Sequence, residues 1–389
     1  MDTKLYTQMI QDQHLHNLKK MIHKYTKQNV EEMLQALGEI SYKETTLKDF
    51  NGNPCVYIPS QTTIDMGIIK KLLTANNTNK PYGIQAMEQE IEGTLQIENI
   101  QSSRESIKKI LQGMAPINEQ ENWTQGLKKS LEFIADTRNK ITEENLYKLY
   151  MLCAGTYLEK EDKLSEGNYY RNDTVYIVGD KPYHQGLNNK LLPKYMKNLI
   201  GFANQKDNIP ELVKASMLHF YIAYLHPYFD GNGRTARLVH LWYLIQQDYP
   251  STLFHAYSNH ILKTKTKYYN NFTLIEENYE ISKIIDMTPF IIYFSEHVYQ
   301  KIDDIITNYP TIQTYTQYLK EGSITEKEND LWNYALSAYG DNPFSTKQLE
   351  KDFGNAAYAT IRTFVQKFET LGLLSSQKYS NRVKYQVLA

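Results

Sequence analysis

Residues 226–237 read His226-Pro227-Tyr228-Phe229-Asp230-Gly231-Asn232-Gly233-Arg234-Thr235-Ala236-Arg237. On either side, Val213 to Leu225 and Leu238 to Ile245 are apolar nearly all round, the pattern of helices buried on every face. The stretch therefore predicts two buried helices joined by a charged loop, within a mostly α fold. Charge is costly to hold between buried helices, and this loop gathers a proton acceptor, a hard carboxylate, a glycine-bracketed turn and two arginines. Such an arrangement marks a site.

The chemistry follows from the order of the residues. Gly231 and Gly233 bracket Asn232, and all three residue types tolerate positive φ. A turn of that kind can aim consecutive backbone N–H groups into one concavity and make an anion nest. The second helix is expected to start near Arg234, which adds its N-terminal donors and positive dipole end at the same point. Arg234 and Arg237, one turn apart, contribute planar charged forks suited to phosphate oxygens. Asp230 at the mouth of the nest is the kind of lone carboxylate that holds Mg²⁺ together with phosphate oxygens and waters. His226, where the first helix ends, carries an imidazole, a group that when unperturbed is mostly neutral at pH 7 and can accept a proton from a hydroxyl. A lone GNG is an ordinary turn and a lone His an ordinary cap; the ordered combination is what carries the reading. It describes metal-assisted phosphoryl or nucleotidyl transfer to an alcohol.

Those twelve residues resemble the Fic family motif H-x-F-x-[DE]-G-N-G-R-x-x-R, matching throughout except that Tyr228 stands where the family usually has Phe. That position is an apolar anchor, and a Tyr serves there if its hydroxyl finds a partner. The resemblance implies transfer of AMP from ATP to a Ser, Thr or Tyr hydroxyl on a protein, with release of pyrophosphate. It makes His226 the general base and Asp230 the Mg²⁺ ligand, with Mn²⁺ as the substitute ion. The backbone around Gly231, Asn232 and Gly233 would cradle the phosphates, and Arg234 and Arg237 would hold the β/γ end. Relatives that phosphorylate carry Lys at the position of Gly233, which argues against that variant.

Three further segments fit the resemblance. Thr94-Leu95-Gln96-Ile97-Glu98-Asn99 matches [ST]-x-x-x-E-[GN], the inhibitory signature of many Fic proteins; the register at Glu92-Gly93 fails because Glu88 occupies the Ser/Thr position. A carboxylate delivered to Arg237 would form a charge-assisted pair and occupy the fork that the γ-phosphate needs. Tyr170-Arg171-Asn172-Asp173-Thr174-Val175-Tyr176-Ile177-Val178-Gly179-Asp180-Lys181 reads as a short hairpin and resembles the Fic flap, which receives an extended target segment by strand addition. Val175 and Ile177 would lie beside the bound nucleotide. Tyr268-Tyr269 falls where the family lines its adenine pocket.

Composition bounds the rest. A length of 389 residues suggests two or three domains. A formal charge of −1 gives no global pull toward nucleic acid or anionic membrane. The two cysteines, Cys55 and Cys153, have no metal-ligand spacing and read as reduced thiols of a cytosolic protein. Neither a secretory signal nor a membrane-spanning run is visible, so a cytoplasmic location is expected. The stretch Asn51 to Ser60 reads as an extended connector, the inhibitory helix as roughly Ile84 to Glu98, and Pro310 as a linker. The expected units are an N-terminal helical region over 1–118, a catalytic core over 119–305 and a C-terminal domain over 315–389.

That last unit has its own pattern. Ser345-Thr346-Lys347-Gln348 makes a capping box, Gly354 ends the following helix, and a second helix turns Ala357, Ile361, Phe364, Val365, Phe368 and Leu371 to one side. Leu373-Leu374, a turn at Tyr379-Ser380-Asn381, and alternating Val383, Tyr385 and Val387 complete a winged helix. Seven Lys/Arg against three Asp/Glu from Ser345 onward, among them Arg362, Lys367, Lys378, Arg382 and Lys384, admit DNA as a partner. A docking or dimerisation role is placed slightly ahead of it.

Three functional readings stand at this point. The first is an adenylyltransferase autoinhibited by Glu98, with ATP, a flap-bound protein, self-modification and a homodimer among its interactions. The second removes AMP, with Glu98 activating water. The third is a nucleotide-sensing regulator acting on DNA through the winged helix.

Overall fold

The apolar segments that flank residues 226–237 fold as two helices, Glu211–Leu225 and Asn232–Gln246, packed against each other. Nearly every side chain of both is buried, so neither has a solvent face to reveal a helical period. The buried Lys214 is tolerated because its Nζ donates to the Gln205 carbonyl at 2.7 Å and to Asp207 at 2.9 Å. The computed structural model describes residues 2–73, 84–111, 113–177, 184–302, 314–315, 317–318, 321–339, 342–354, 356–379 and 382–388. The flap turn at Gly179-Asp180, the Pro310 linker and the turn at Ser380-Asn381 lie outside the described residues.

The chain begins with α1 (Thr3–Ile10), α2 (Leu18–Tyr25) and α3 (Lys27–Ile40). These bury Met9, Met21, Val30, Met33 and Leu37 in a cluster of their own. The expected connector is instead half of an antiparallel hairpin, β1 (Lys43–Lys48) with β2 (Pro54–Tyr57). Polar, short β1 gave no alternating signal. What orders β2 is long-range: Val56 donates to the Ile285 carbonyl and accepts from Met287 N–H, both at 2.9 Å. Then come α4 (Met66–Leu73), α5 (Ile84–Ile97) and α6 (Arg104–Leu111).

The central layer comprises α7 (Glu119–Ala135), α8 (Glu143–Cys153), a two-residue hairpin β3 (Tyr176–Ile177) and β4 (His184–Gln185), and α9 (Leu192–Asn204). The buried pair above follows as α10 (Glu211–Leu225) and α11 (Asn232–Gln246), then α12 (Tyr257–Lys263), α13 (Lys265–Ser282) and α14 (Thr288–His297). One hydrophobic cluster runs from Leu47 to Ile302 and takes in Ile91 and Leu95 of α5. Helix α5 is therefore built into the same core as the charged loop, which fixes its end relative to α11.

The C-terminal residues pack around Trp332, Phe364 and Phe368 in a third cluster. Helices Thr346–Phe353 and Tyr358–Thr370 precede strands β5 (Leu374–Tyr379) and β6 (Arg382–Val387). Ser345 caps the first helix through Gln348 N–H at 3.1 Å, and Gly354 ends it at φ 66°. Ile361, Phe364, Val365 and Phe368 are buried, while Ala357 is exposed. Lys367 is held by Glu328 at 2.7 Å, which takes one cation out of the set expected to reach phosphates.

Candidate active site

His226 ends α10 in the left-handed conformation, φ 53° and ψ 61°. A non-glycine residue there carries a local cost, so the surroundings must hold it. They do: the His226 carbonyl accepts from Arg171 Nε at 2.7 Å, the Pro227 carbonyl accepts from Arg171 N–H at 3.0 Å, and the neighbouring Leu225 carbonyl accepts from Leu187 N–H at 3.1 Å. The ring's Nδ1 lies 3.4 Å from the Ala223 carbonyl.

The turn that follows differs in detail from the sequence expectation. Only Gly231, at φ 83°, takes positive φ; Asn232 and Gly233 are already helical, so α11 starts two residues before Arg234. The Asn232 side chain explains the early start. It accepts from Tyr228 N–H and donates to the Tyr228 carbonyl, both at 2.9 Å, folding the loop back on the first helical turn. Gly231 is needed twice over, since a Cβ there would also sit 2.3 Å from Ala154 Cβ. The left-handed Gly231 thus leads straight into the first turn of α11, whose backbone N–H groups no side chain caps, an arrangement that suits an anion.

Both arginines are buried, Arg234 at 1% and Arg237 at 3% exposure. Arg234 donates from Nη2 to Asp230 at 2.7 Å, and its guanidinium lies 4.2 Å from the centre of the Trp123 ring. Arg237 donates from Nε to Thr94 Oγ1 at 2.7 Å and from Nη2 to Glu98 Oε1 at 2.5 Å. Thr94 on α5 and Glu98, the residue just after its end, therefore grip one guanidinium. Arg234 Nε and Arg237 Nη1 are buried with no partner among the described residues. A buried donor left unpaired costs about 1–3 kcal/mol, more when charged. That is expected where a ligand oxygen belongs.

Electrostatics agree. Burial works to raise the Glu98 carboxyl, yet Arg237, aided by Arg234 and Lys265, holds it below the usual carboxylate range. Burial likewise works against the charged Arg237, and Glu98 more than compensates. Glu98 Oε1 lies 2.7 Å from where a Cβ on Gly233 would be, so that glycine leaves room for the carboxylate.

Helix α5 is docked by its middle. Glu90, fully buried, accepts from Ser258 N–H at 2.8 Å and from the Ser258 hydroxyl. A Cβ at Gly93 would meet Ser258 C and Asn259 N at 2.8 Å. Backbones of α5 and α12 are in contact, which no spacing in the sequence announced.

Other expected residues are placed unevenly. Val175 accepts from Gly186 N–H at 3.1 Å beside the hairpin, where Tyr176 pairs with Gln185 and Ile177 with His184. Tyr268 is core: it is 2% exposed and its hydroxyl is 2.8 Å from His219 Nε2. Tyr269 is exposed. Tyr228 stacks on Tyr150 at 3.7 Å, but its buried hydroxyl has no partner among the described residues, so the condition set for a Tyr at that position is not met there. Asp230 is half exposed beside Arg234. Among the described residues no group of three or more His, Cys, Asp or Glu could hold a metal unaided, and no helix is long and apolar enough to cross a membrane. Arg171, Trp123 and Glu90 had no sequence signal.

This geometry meets an independent comparison. Residues 140–244, from α8 to α11, match the Fic/DOC family. The chain carries a Fic domain. It is similar to the protein adenylyltransferase Fic of Drosophila ananassae, 25% identical over 138 residues, which are 36% of this chain and 25% of that protein. The corresponding protein of Culex quinquefasciatus is 26% identical over 140 residues, again 36% and 25%. The match thus spans about a quarter of the length of these curated relatives. A Fic family protein from Desulfovibrio desulfuricans G20 shares the fold, with a TM-score of 0.50 at 16% identity, covering 84% of this chain and 97% of that one. In the Fic domain here, the matched segment contains the whole 226–237 loop, while Glu98 reaches it from outside.

Proposed function

We propose that this chain is a protein adenylyltransferase, moving AMP from ATP to a Ser, Thr or Tyr hydroxyl, and that Glu98 holds it in check. The observation that carries the reading is the pair of unsatisfied guanidinium donors, Arg234 Nε and Arg237 Nη1, buried beside the uncapped first turn of α11. Each guanidinium already meets one carboxylate, Asp230 or Glu98, and the N–H donor that each keeps unpaired among the described residues suits an oxygen of a triphosphate.

In this reading the target hydroxyl oxygen attacks the α-phosphorus, the bond from that phosphorus to the bridging oxygen breaks, and pyrophosphate leaves. His226 takes the hydroxyl proton; with Nδ1–H turned to the Ala223 carbonyl, Nε2 is the accepting nitrogen. Backbone N–H groups of Asn232 and Gly233 and the two guanidiniums bind and orient the phosphates. Asp230, a hard and accessible oxygen donor, would hold Mg²⁺ or Mn²⁺, which would supply positive charge to neutralise the phosphates. The β3–β4 hairpin presents the protein target by strand addition, and Tyr269 supplies the exposed aromatic face for adenine while Tyr268 supports it. Glu98 occupies the Arg237 fork and keeps the γ-phosphate out.

Removal of AMP, the second reading, asks Glu98 to act as a base on water. A carboxylate that Arg237 holds low is poorly matched to that task. The regulator reading loses one of its five cations to Glu328.

The test is incorporation of label from α-labelled ATP with Mg²⁺ into the protein itself and into lysate. Glu98→Gly should label strongly, the native chain weakly, and Glu98→Gly with His226→Ala not at all. Equal labelling by native and Glu98→Gly chains removes the inhibitory role. Silence in both, with release of AMP from a modified protein, reverses the direction of the chemistry.

A further inference from the structure

Arg171 is the least expected polar residue in the core. It is 2% exposed, with no carboxylate within ion-pair distance among the described residues, and burial pushes its guanidinium below the usual arginine range despite Asp173 nearby. Its donors go to three backbone carbonyls instead. Nε donates to His226 at 2.7 Å, Nη1 to Asp173 at 2.5 Å, and Nη2 to Leu187. Its own N–H donates to the Pro227 carbonyl at 3.0 Å.

The three acceptors are the informative part. Asp173 lies just before β3, Leu187 just after β4, and His226 carries the imidazole. One planar, rigid fork thus ties both roots of the hairpin to the backbone of the proton acceptor. Gly186 makes room for it: a Cβ there would fall 2.7 Å from Arg171 Nη2 and 3.1 Å from His226 Cβ. Among the described residues the hairpin's ladder is two residue pairs, and a two-stranded ribbon alone is marginal; besides Arg171, the Leu187 N–H tethers its second root to the Leu225 carbonyl at 3.1 Å.

We infer that Arg171 is a positioning residue that registers the target-presenting hairpin to His226. The inference rests on the adenylyltransferase reading for its consequence, and on the three carbonyl contacts for its structure. Transfer needs the hydroxyl of a hairpin-bound segment and the imidazole in near-attack geometry, and a displacement of about 1 Å costs on the order of 10²-fold in rate. A residue gripping both partners controls that distance. Lysine cannot substitute, since one ammonium lacks the fixed fork that spans three carbonyls.

The experiment compares Arg171→Ala and Arg171→Lys in the Glu98→Gly background. The expected result for Arg171→Ala is a fall of about 100-fold in kcat for protein labelling, with affinity for a non-hydrolysable ATP analogue changed less than about threefold. Arg171→Lys should recover little of the loss. Amide hydrogen exchange supplies a readout independent of activity: Arg171→Ala should speed exchange at 184–187 and 225–228 together. Labelling within threefold of the parent, loss of nucleotide affinity in step with kcat, or faster exchange confined to 184–187 would each overturn the inference. An inactive Glu98→Gly parent overturns the adenylyltransferase reading instead, and exchange then decides the clamp alone.

Discussion

Gly93→Ala should switch the protein on without touching a single charged group. The new Cβ would lie 2.8 Å from Ser258 C and Asn259 N and 3.1 Å from Asn259 Cα. These are backbone atoms of α12 and its N-terminus, which cannot swing aside as a flexible side-chain tip can. Restoring ordinary contact near 3.4 Å requires α5 to back away by about 0.6 Å. Overpacking of this kind costs about 1–3 kcal/mol, and the helix-propensity advantage of Ala over Gly is shared by docked and undocked α5, so it cancels. The penalty therefore falls on the docked state, shifting its population by about 5- to 150-fold. Glu98 sits at the end of that helix, and its 2.5 Å contact with Arg237 is lost when the helix withdraws. Labelling from α-labelled ATP should rise toward the Glu98→Gly level, with circular dichroism confirming that the chain remains folded. A folded Gly93→Ala protein as silent as the native chain, under conditions where Glu98→Gly labels, would refute the docking argument.

Two other outcomes are expected. Tyr228→Phe should stabilise the protein by about 1–2 kcal/mol, since it removes a buried hydroxyl that has no partner among the described residues and keeps the stack on Tyr150; denaturant midpoints measure this, and a loss of stability points to a bound water at that hydroxyl. The Glu98 latch should be insensitive to mild acid. Its folded-state carboxyl is depressed, so the pairing is fully present above the unfolded value of about 4.3 and fades only as pH falls through the lower folded value. The activity ratio of Glu98→Gly to native should accordingly stay level from pH 8 to 5, and a ratio that collapses toward one over that window contradicts the ion pair with Arg237.

The gathering of His226, Asp230, the glycines and the two arginines was legible because they fall within one contiguous stretch, where order alone implies proximity. Thr94 and Glu98 were legible for a similar reason: residues four apart on a helix share a face. The pair of helices around the loop was readable from composition even without a helical period. What stayed hidden were contacts whose partner is main chain. Arg171 reaches His226 across 55 positions to grip a carbonyl that every residue type possesses, so no residue pattern could point to it. Gly93 against α12, β2 against Ile285 and Met287, and Asn232 around Tyr228 are of the same kind. Which tyrosine of Tyr268-Tyr269 faces inward was likewise settled by His219 on another helix.

Amino-acid order by itself determined which chemical groups this protein can bring to a phosphate, since side-chain identity and local spacing are written in the chain. Only the folded arrangement decided that Glu98 meets Arg237, that two guanidinium donors have no partner among the described residues, and that one buried arginine joins the hairpin roots to the backbone of His226. Those outcomes depend on distances between segments far apart in the chain, which long-range packing sets and local periodicity does not record.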